Sequence, residues 1–233
     1  PLVNEWRAGT RLYPLRRGRL DDNAQIHTIT DEVHRTGVRM RLETSEWPAI
    51  MPPAAYLGHP VLSQAPDAGE NRTLRYGRLT ERASGDGGAD IEFDLAGIAL
   101  REQGHVWELW GRAQQSEFRS LIHALRGRQV PLWVPTWSCD LRPVSPISDN
   151  ATLMAVEWAG YTALGGVRPN RRDIRIELRD GTVFFRRLAG SAEDGNTEVL
   201  QLEAPLGQAV APHHVRRISW MGLGTLASDE IEW

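Results

Sequence analysis

Lysine is absent from this chain: all 27 basic residues are arginines. Codon bias in a GC-rich genome accounts for such a skew, and its physical consequence is that every cation can fork onto a carboxylate or stack on an aromatic ring. Cys139 is the only cysteine, which excludes an intrachain disulfide and any cysteine-based zinc or iron–sulfur site built within one chain. Long apolar runs are missing as well. No stretch reaches membrane-spanning length, and the opening PLVNEWRAGTRLYPLRRGRL has no apolar core of signal-peptide length. The expectation is a chain made inside the cell, with Pro1 fitting removal of an initiator methionine and no direct membrane insertion. A basic balance is lacking too. The formal net charge of −3 and a pI near 6.2 do not resemble a nucleic-acid or anionic-membrane binder, which usually shows as a basic domain or stripe. Phe and Tyr are scarce at four each, against nine Trp, and Trp offers large contact area with a polar handle.

What is present is mostly alternation. VRMRLET (38–44), TLRYGRLTE (73–81) and ADIEFDLAGIAL (89–100) alternate apolar and polar residues, the period of half-buried strands. RASGDGG between the last two reads as a hairpin turn. HVWELWGRA (105–113) reads as a further strand, with Trp107 and Trp110 on opposite faces. One helix follows in QQSEFRSLIHALRGR: Ser116 as cap, Phe118, Leu121, Ile122 and Leu125 as its stripe, Gly127 as its stop and Arg126 in its last turn. QVPLWVPTW then carries two prolines, each lacking a ladder donor, so an edge strand or a strand that changes sheets is expected.

RPVSPISDN (142–150) is a linker, and DIRIELRDGTVFFRRL beyond it is a hairpin about Asp180-Gly181. AEDGNTEVLQLEAPLG adds a turn and another strand. With the loop QAVAPHH at 208–214, these bracket a unit of about 60 residues, near the lower limit for independent folding. The expected division is therefore 1–143 plus 214–233 as one domain and 144–213 as a small β insertion, the last strand returning to the first sheet. Segments 20–36 and 45–72 are irregular, with PPAAYLGHPVLSQAP as a long loop or arm.

Recognisable chemistry is sparse. No HExxH, HxH, GxSxG, P-loop or dinucleotide fingerprint occurs. The adjacent His213 and His214 would diverge on a strand and read as a turn or solvated loop. DLRP (140–143) and SDE (228–230) supply carboxylates without an identifiable acid–base partner. The expectation is no catalytic residue, no cofactor and no metal. A glycan-stacking platform is a competing reading: Trp133 and Trp137, four apart, share a face if their strand is regular, although core or interface roles are preferred for both.

HVWELWGRAQQSEFRSLIHALRGRQVPLWVPTWSCDL, followed by DIRIELRDGTVFFRRL with EVLQLEAPLG and the closing RRISWMGLGTLASDEIEW, resembles the tail-tip proteins of long-tailed bacteriophages, the distal tail and tail hub families. The order and spacing of these pieces, over about residues 70–233, carry the likeness. It implies a mainly β fold, a split β-barrel or sandwich of tail-tube type with one flanking helix plus a small inserted β-barrel, and a structural, non-enzymatic role in the virion after synthesis in the bacterial host cytoplasm. The implied assembly is a homo-oligomeric ring, hexameric in distal tail proteins and trimeric in hubs, contacting tail tube, hub and fibre proteins while phage DNA passes through its lumen. Some hub relatives hold an iron–sulfur cluster on several cysteines; the lone Cys139 departs from that pattern and favours the distal tail ring. The residues expected to serve structure or subunit contact are Arg126, Arg128, Trp133 and Trp137. The alternatives are the trimeric hub, a glycan- or receptor-binding β module and, third, a hydrolase.

Overall fold

The computed structural model describes residues 17–20, 25–30, 34–37, 40–42, 48–67, 73–84, 90–169 and 171–229. The chain forms two compact units, residues 1–48 and 49–233. In the first, strands β1 (Gly18–Leu20) and β4 (Met40–Leu42) pair antiparallel, as do β2 (Gln25–Thr28) and β3 (His34–Gly37). Segment 20–36, read as irregular, thus contains a short hairpin. Of the stretch 38–44 expected as a strand, Met40–Leu42 form β4 and the rest lies outside the described residues.

The second unit is mainly β with one helix among the described residues. It opens with a very short hairpin, β5 (Ala55–Tyr56) and β6 (His59–Pro60). Leu57 and Gly58 turn it, both at positive φ (47° and 81°), the geometry of a tight primed turn. The loop expected over this stretch is accordingly more structured than its composition implies. Val61 and Leu62 behind it are buried, Val61 bridging Trp133 and the Leu62 amide donating to the Trp133 carbonyl at 2.9 Å. The two apolar residues after the prolines, Val61 and Leu62, are what tie the segment down.

Four strands then make a nested ribbon: β7 (Thr73–Gly77) pairs with β10 (Leu100–Gly104), and β8 (Thr80–Ser84) with β9 (Asp90–Asp94) inside them. The hairpin read from RASGDGG is present, although residues 85–89 of its turn lie outside the described residues. Stretch 105–110, expected as a strand, is extended but unladdered, and helix α1 begins earlier than expected, at Gly111, running to Leu125. The Gln114 side chain reaches back to the Trp110 amide at 2.8 Å and satisfies a donor that a helix start leaves open. Ser116, the expected cap, therefore sits inside the helix. Leu121, Ala124 and Leu125 are its buried stripe, and Phe118 packs on Trp107 with ring centroids 5.2 Å apart.

The main element is a six-stranded antiparallel sheet in the order β11-β16-β13-β14-β15-β12. Its strands are β11 (Leu132–Pro135), β12 (Leu153–Glu157), β13 (Asp173–Leu178), β14 (Val183–Asp194), β15 (Thr197–Leu202) and β16 (Val215–Gly224). β11 is at one edge, as its prolines require. β14 is long enough to serve two ladders: residues 183–187 pair with β13, and the rest, after a register shift at Leu188, pair with β15. The sheet bends at that shift and encloses the core of Ile174, Ile176, Leu188, Leu200, Leu202, Met154, Val156 and Ile218.

Among the described residues no closed hydrogen-bonded barrel forms, but segment 140–144 reaches from one side of the sheet to its far edge. The Asp140 amide donates to Ile218 at 2.9 Å, the Glu157 amide to Arg142 at 2.9 Å and the Val144 amide to Ala155 at 3.0 Å. Leu141 and Pro143 make isolated bridges to Ile218 and Val156. The boundary expected at 143/144 thus runs through this linking segment, and β16 lies between β11 on one side of it and β13 on the other.

Candidate assembly surface

Among the described residues the ribbon carries a cluster of exposed apolar side chains. Cross-strand partners in an antiparallel ladder share a face, so Ala83 with Ile91 and Glu81 with Phe93 line one side of β8–β9, and Thr80 with Asp94 and Arg82 with Glu92 line the other. One face is mainly apolar, Glu81 excepted, and the other is polar and charged. Both are exposed: Ile91 and Phe93 retain 56% and 50% of their accessible surface, and Leu79, Leu95, Ile98 and Leu100 around them are exposed as well. On β7–β10, Leu74 and Tyr76 share a face with Gln103 and Arg101. A cleft of about 550 Å³ opens there, lined by Arg75, Tyr76, Gly77, Leu100, Arg101 and Glu102.

Local bonds stiffen the ribbon between its two ladders. The Leu95 amide donates to the Leu79 carbonyl at 2.9 Å, and the Asp94 carboxylate accepts from the Arg78 guanidinium and from the Gly97 amide at 3.1 Å. The Arg78 hydrogen bond, with help from that amide, holds the Asp94 carboxyl below its ordinary range. At the root, the Gln103 side chain donates to the Pro135 carbonyl at 3.4 Å, which fixes the ribbon's base to the edge strand β11. The alternation in ADIEFDLAGIAL was legible as a strand with one apolar face; that this face is exposed among the described residues was not.

The four residues expected from the sequence separate into two places. Trp133 is buried at 5% exposure. Its indole N–H donates to the Tyr56 carbonyl at 2.8 Å, and its ring lies 5.4 Å from that of Tyr56 beside Val61 and Met221. Trp137 sits just beyond β11 at φ 57°, a left-handed conformation uncommon for a tryptophan. Arg175 and Arg217 lie over its ring at 4.9 and 5.0 Å, and its carbonyl accepts from Arg217 at 3.3 Å. Its indole nitrogen is buried without a hydrogen-bond partner. Trp133 and Trp137 therefore do not make one exposed platform.

Arg126 and Arg128 are exposed at the end of α1. The chain turns left-handed already at Arg126 (φ 51°), one residue before the expected Gly127 stop (φ 63°). The Arg128 amide donates to Asp229 Oδ1 at 2.8 Å and its guanidinium lies 3.3 Å from Oδ2. That amide, then the Arg128 charge, holds the Asp229 carboxyl below its ordinary range. Gly127 is required here, because a Cβ on it would fall 2.3 Å from Asp229 Oδ1.

Behind Trp137 the arginines converge on a buried carboxylate. Glu177 accepts from Arg175, from Arg217 at 2.8 Å and from Arg216 at 2.9 Å. Burial pushes its pKa up, but the hydrogen bonds and charges of Arg175 and Arg217 outweigh that, and the net shift is downward. A second buried carboxylate, Asp173, accepts from Tyr56 at 2.9 Å and from Arg187 at 2.8 Å. Burial, then the Asp173 bond, raises the Tyr56 phenol well above its usual range. Arg187 on β14 and Arg216 and Arg217 on β16 neutralise these β13 carboxylates across the ladders, so they pin the sheet.

Among the described residues no group of three or more His, Cys, Asp and Glu converges to hold a metal ion, and no helix is long and apolar enough to cross a membrane. His213 and His214 occupy a short 3-10 turn, Pro212–His214, with their rings edge to face at 4.2 Å. Compared with known proteins, the chain matches no family model and no curated sequence.

Proposed function

We propose that this chain is a structural component of a phage tail tip, a ring that closes the distal end of the tail tube and joins it to the hub, fibre or receptor-binding apparatus. The observation that carries the reading is the exposed amphipathic ribbon. An isolated two-stranded ribbon is marginal in water, and one with Ile91 and Phe93 uncovered gains most of its stability when another surface covers them. In a closed ring each copy offers the same projection to the next, and a heterologous contact of that kind closes on itself when the rotation allows. A split barrel of tube type fits the bent sheet and the 140–144 segment that reaches its far edge. The alternation, the single helix and the pieces of sequence named above supply the family likeness. In this reading the protein is non-enzymatic, acts within the virion, and needs no cofactor.

The test is the solution mass of the purified chain by light scattering, with negative-stain imaging, for the native protein and for the double variant I91D/F93D. The expected result is a ring with a central channel for the native chain, sixfold for a distal tail protein and threefold for a hub. I91D/F93D is expected as a monomer with an unchanged melting temperature. Rings of normal size from I91D/F93D would remove the ribbon from the interface. A native chain that stays monomeric at all concentrations, even with preformed tail tubes added, would overturn the ring reading.

A further inference from the structure

The loop that follows β12 holds a tryptophan out to solvent on a hydrogen-bonded base. Trp158 keeps 54% of its surface and Leu164 71%. Both lie over Gly160, whose absent Cβ would stand 3.4 Å from the Trp158 ring and 3.5 Å from a Leu164 methyl. Gly160 is buried and left-handed at φ 70°. Beneath the loop lies Glu198, fully buried on β15, whose two oxygens accept the Ala159 amide at 2.9 Å and the Thr162 amide at 2.6 Å. Tyr161, also fully buried, stacks on Trp220 at 5.0 Å and donates to the Arg171 carbonyl at 2.8 Å. The Trp158 amide donates to the Asn196 carbonyl at 3.2 Å, and its indole N–H to Glu193 Oε1 at 3.1 Å.

A buried charge is costly unless its hydrogen bonds are satisfied. Here it is satisfied by the backbone of the loop that displays Trp158, so the carboxylate fixes the position of a ring the core does not use. A ring fixed before binding loses little entropy when something covers it. The size of the patch decides what that is. Trp158 and Leu164 together present on the order of 250 Å², against about 800 Å² per partner in a stable protein interface. The patch is the size of one flat sugar ring. Its rim is polar in the way hydroxyls require: the Glu193 carboxylate stands at the indole edge. A carboxylate accepts hydroxyl protons.

We propose that Trp158, backed by Leu164 and rimmed by Glu193, is a stacking platform for a neutral β-linked saccharide. The site is separate from the ribbon and holds whether or not the chain assembles into a ring.

Saturation-transfer NMR on the full chain with cellotriose and chitotriose tests it. The expected result is transfer to the axial protons of one pyranose face, with affinity falling about tenfold or more in W158A. W158F should retain part of it, and W110A, which removes another exposed indole, should leave it unchanged. Trp158 is surface-exposed, so an unshifted melting curve for W158A keeps the comparison fair. Absence of transfer from either sugar to the native protein, or equal transfer to W158A, would overturn the proposal. So would self-association that is lost in W158A, which would assign the patch to a second copy of the chain.

Discussion

Single residues set several local geometries that composition alone conceals. Gly127 is the sharpest case: it is left-handed, and a methyl group there would collide with the Asp229 carboxylate. G127A is expected to cost about 1–2 kcal/mol, seen as a melting temperature lower by roughly 3–8 °C; an unshifted curve would mean that the Asp229 segment simply swings away. Glu177 and Glu198 act through protonation. For Glu198 burial raises the pKa, but the backbone amides of Thr162 and Ala159 outweigh it and the folded value falls below the ordinary one. Because both folded pKa values are depressed, their stabilisation is complete above the unfolded-state value of about 4.3 and drains as pH falls towards the folded values. E198Q should therefore lose less stability than the native chain between neutral pH and about pH 3, measured by urea midpoints. E198A strands two buried amides and should cost about 3 kcal/mol. Sequence reading singled out Arg128 but not the Asp229 contact, because the two lie about a hundred positions apart. Since both side chains are 61% exposed, the bridge itself contributes little. R128E should lower stability only slightly, and R128E/D229R should restore it. If assembly fails in R128E and returns in the double variant, the pair's role is to hold its own chain; if it fails in both, Arg128 meets a neighbour.

At the scale of elements, what the sequence disclosed depended on whether the signal was local. The hairpins at RASGDGG and Asp180-Gly181 and the edge position of β11 follow from turn chemistry and proline, which act within a few residues. The early start of α1 was hidden because its cap is a glutamine four residues inside the helix, reaching back to the amide of Trp110, rather than a serine before it. Trp158 was missed for a related reason: its display depends on Glu198, forty positions later and on another strand. Alternation in 89–100 gave the strand and its apolar face but not that face's exposure, which only tertiary structure can report. The ribbon permits a clean test of element-level independence. Replacing 78–99 with Asn-Gly closes a two-residue turn on the Gly77–Leu100 pair. That shortened chain should melt within a few degrees of the native one and fail to assemble.

For the whole molecule, consider the two rims of the large sheet. Segment 140–144 occupies the outer side of β12, and Val61 with Leu62 occupies part of the outer side of β11. Both rims are thus occupied by the chain's own backbone, whereas among the described residues the ribbon strands have no strand paired on their outer sides. Unpaired strand edges are where chains add to one another without control. Amyloid-like growth of this protein should therefore begin in the ribbon, and hydrogen–deuterium exchange should be fastest there and slowest in β13, which is buried along its whole length. The element best suited to ordered joining is also the one most exposed to disordered joining, and a cell making this chain has reason to bring its copies together early.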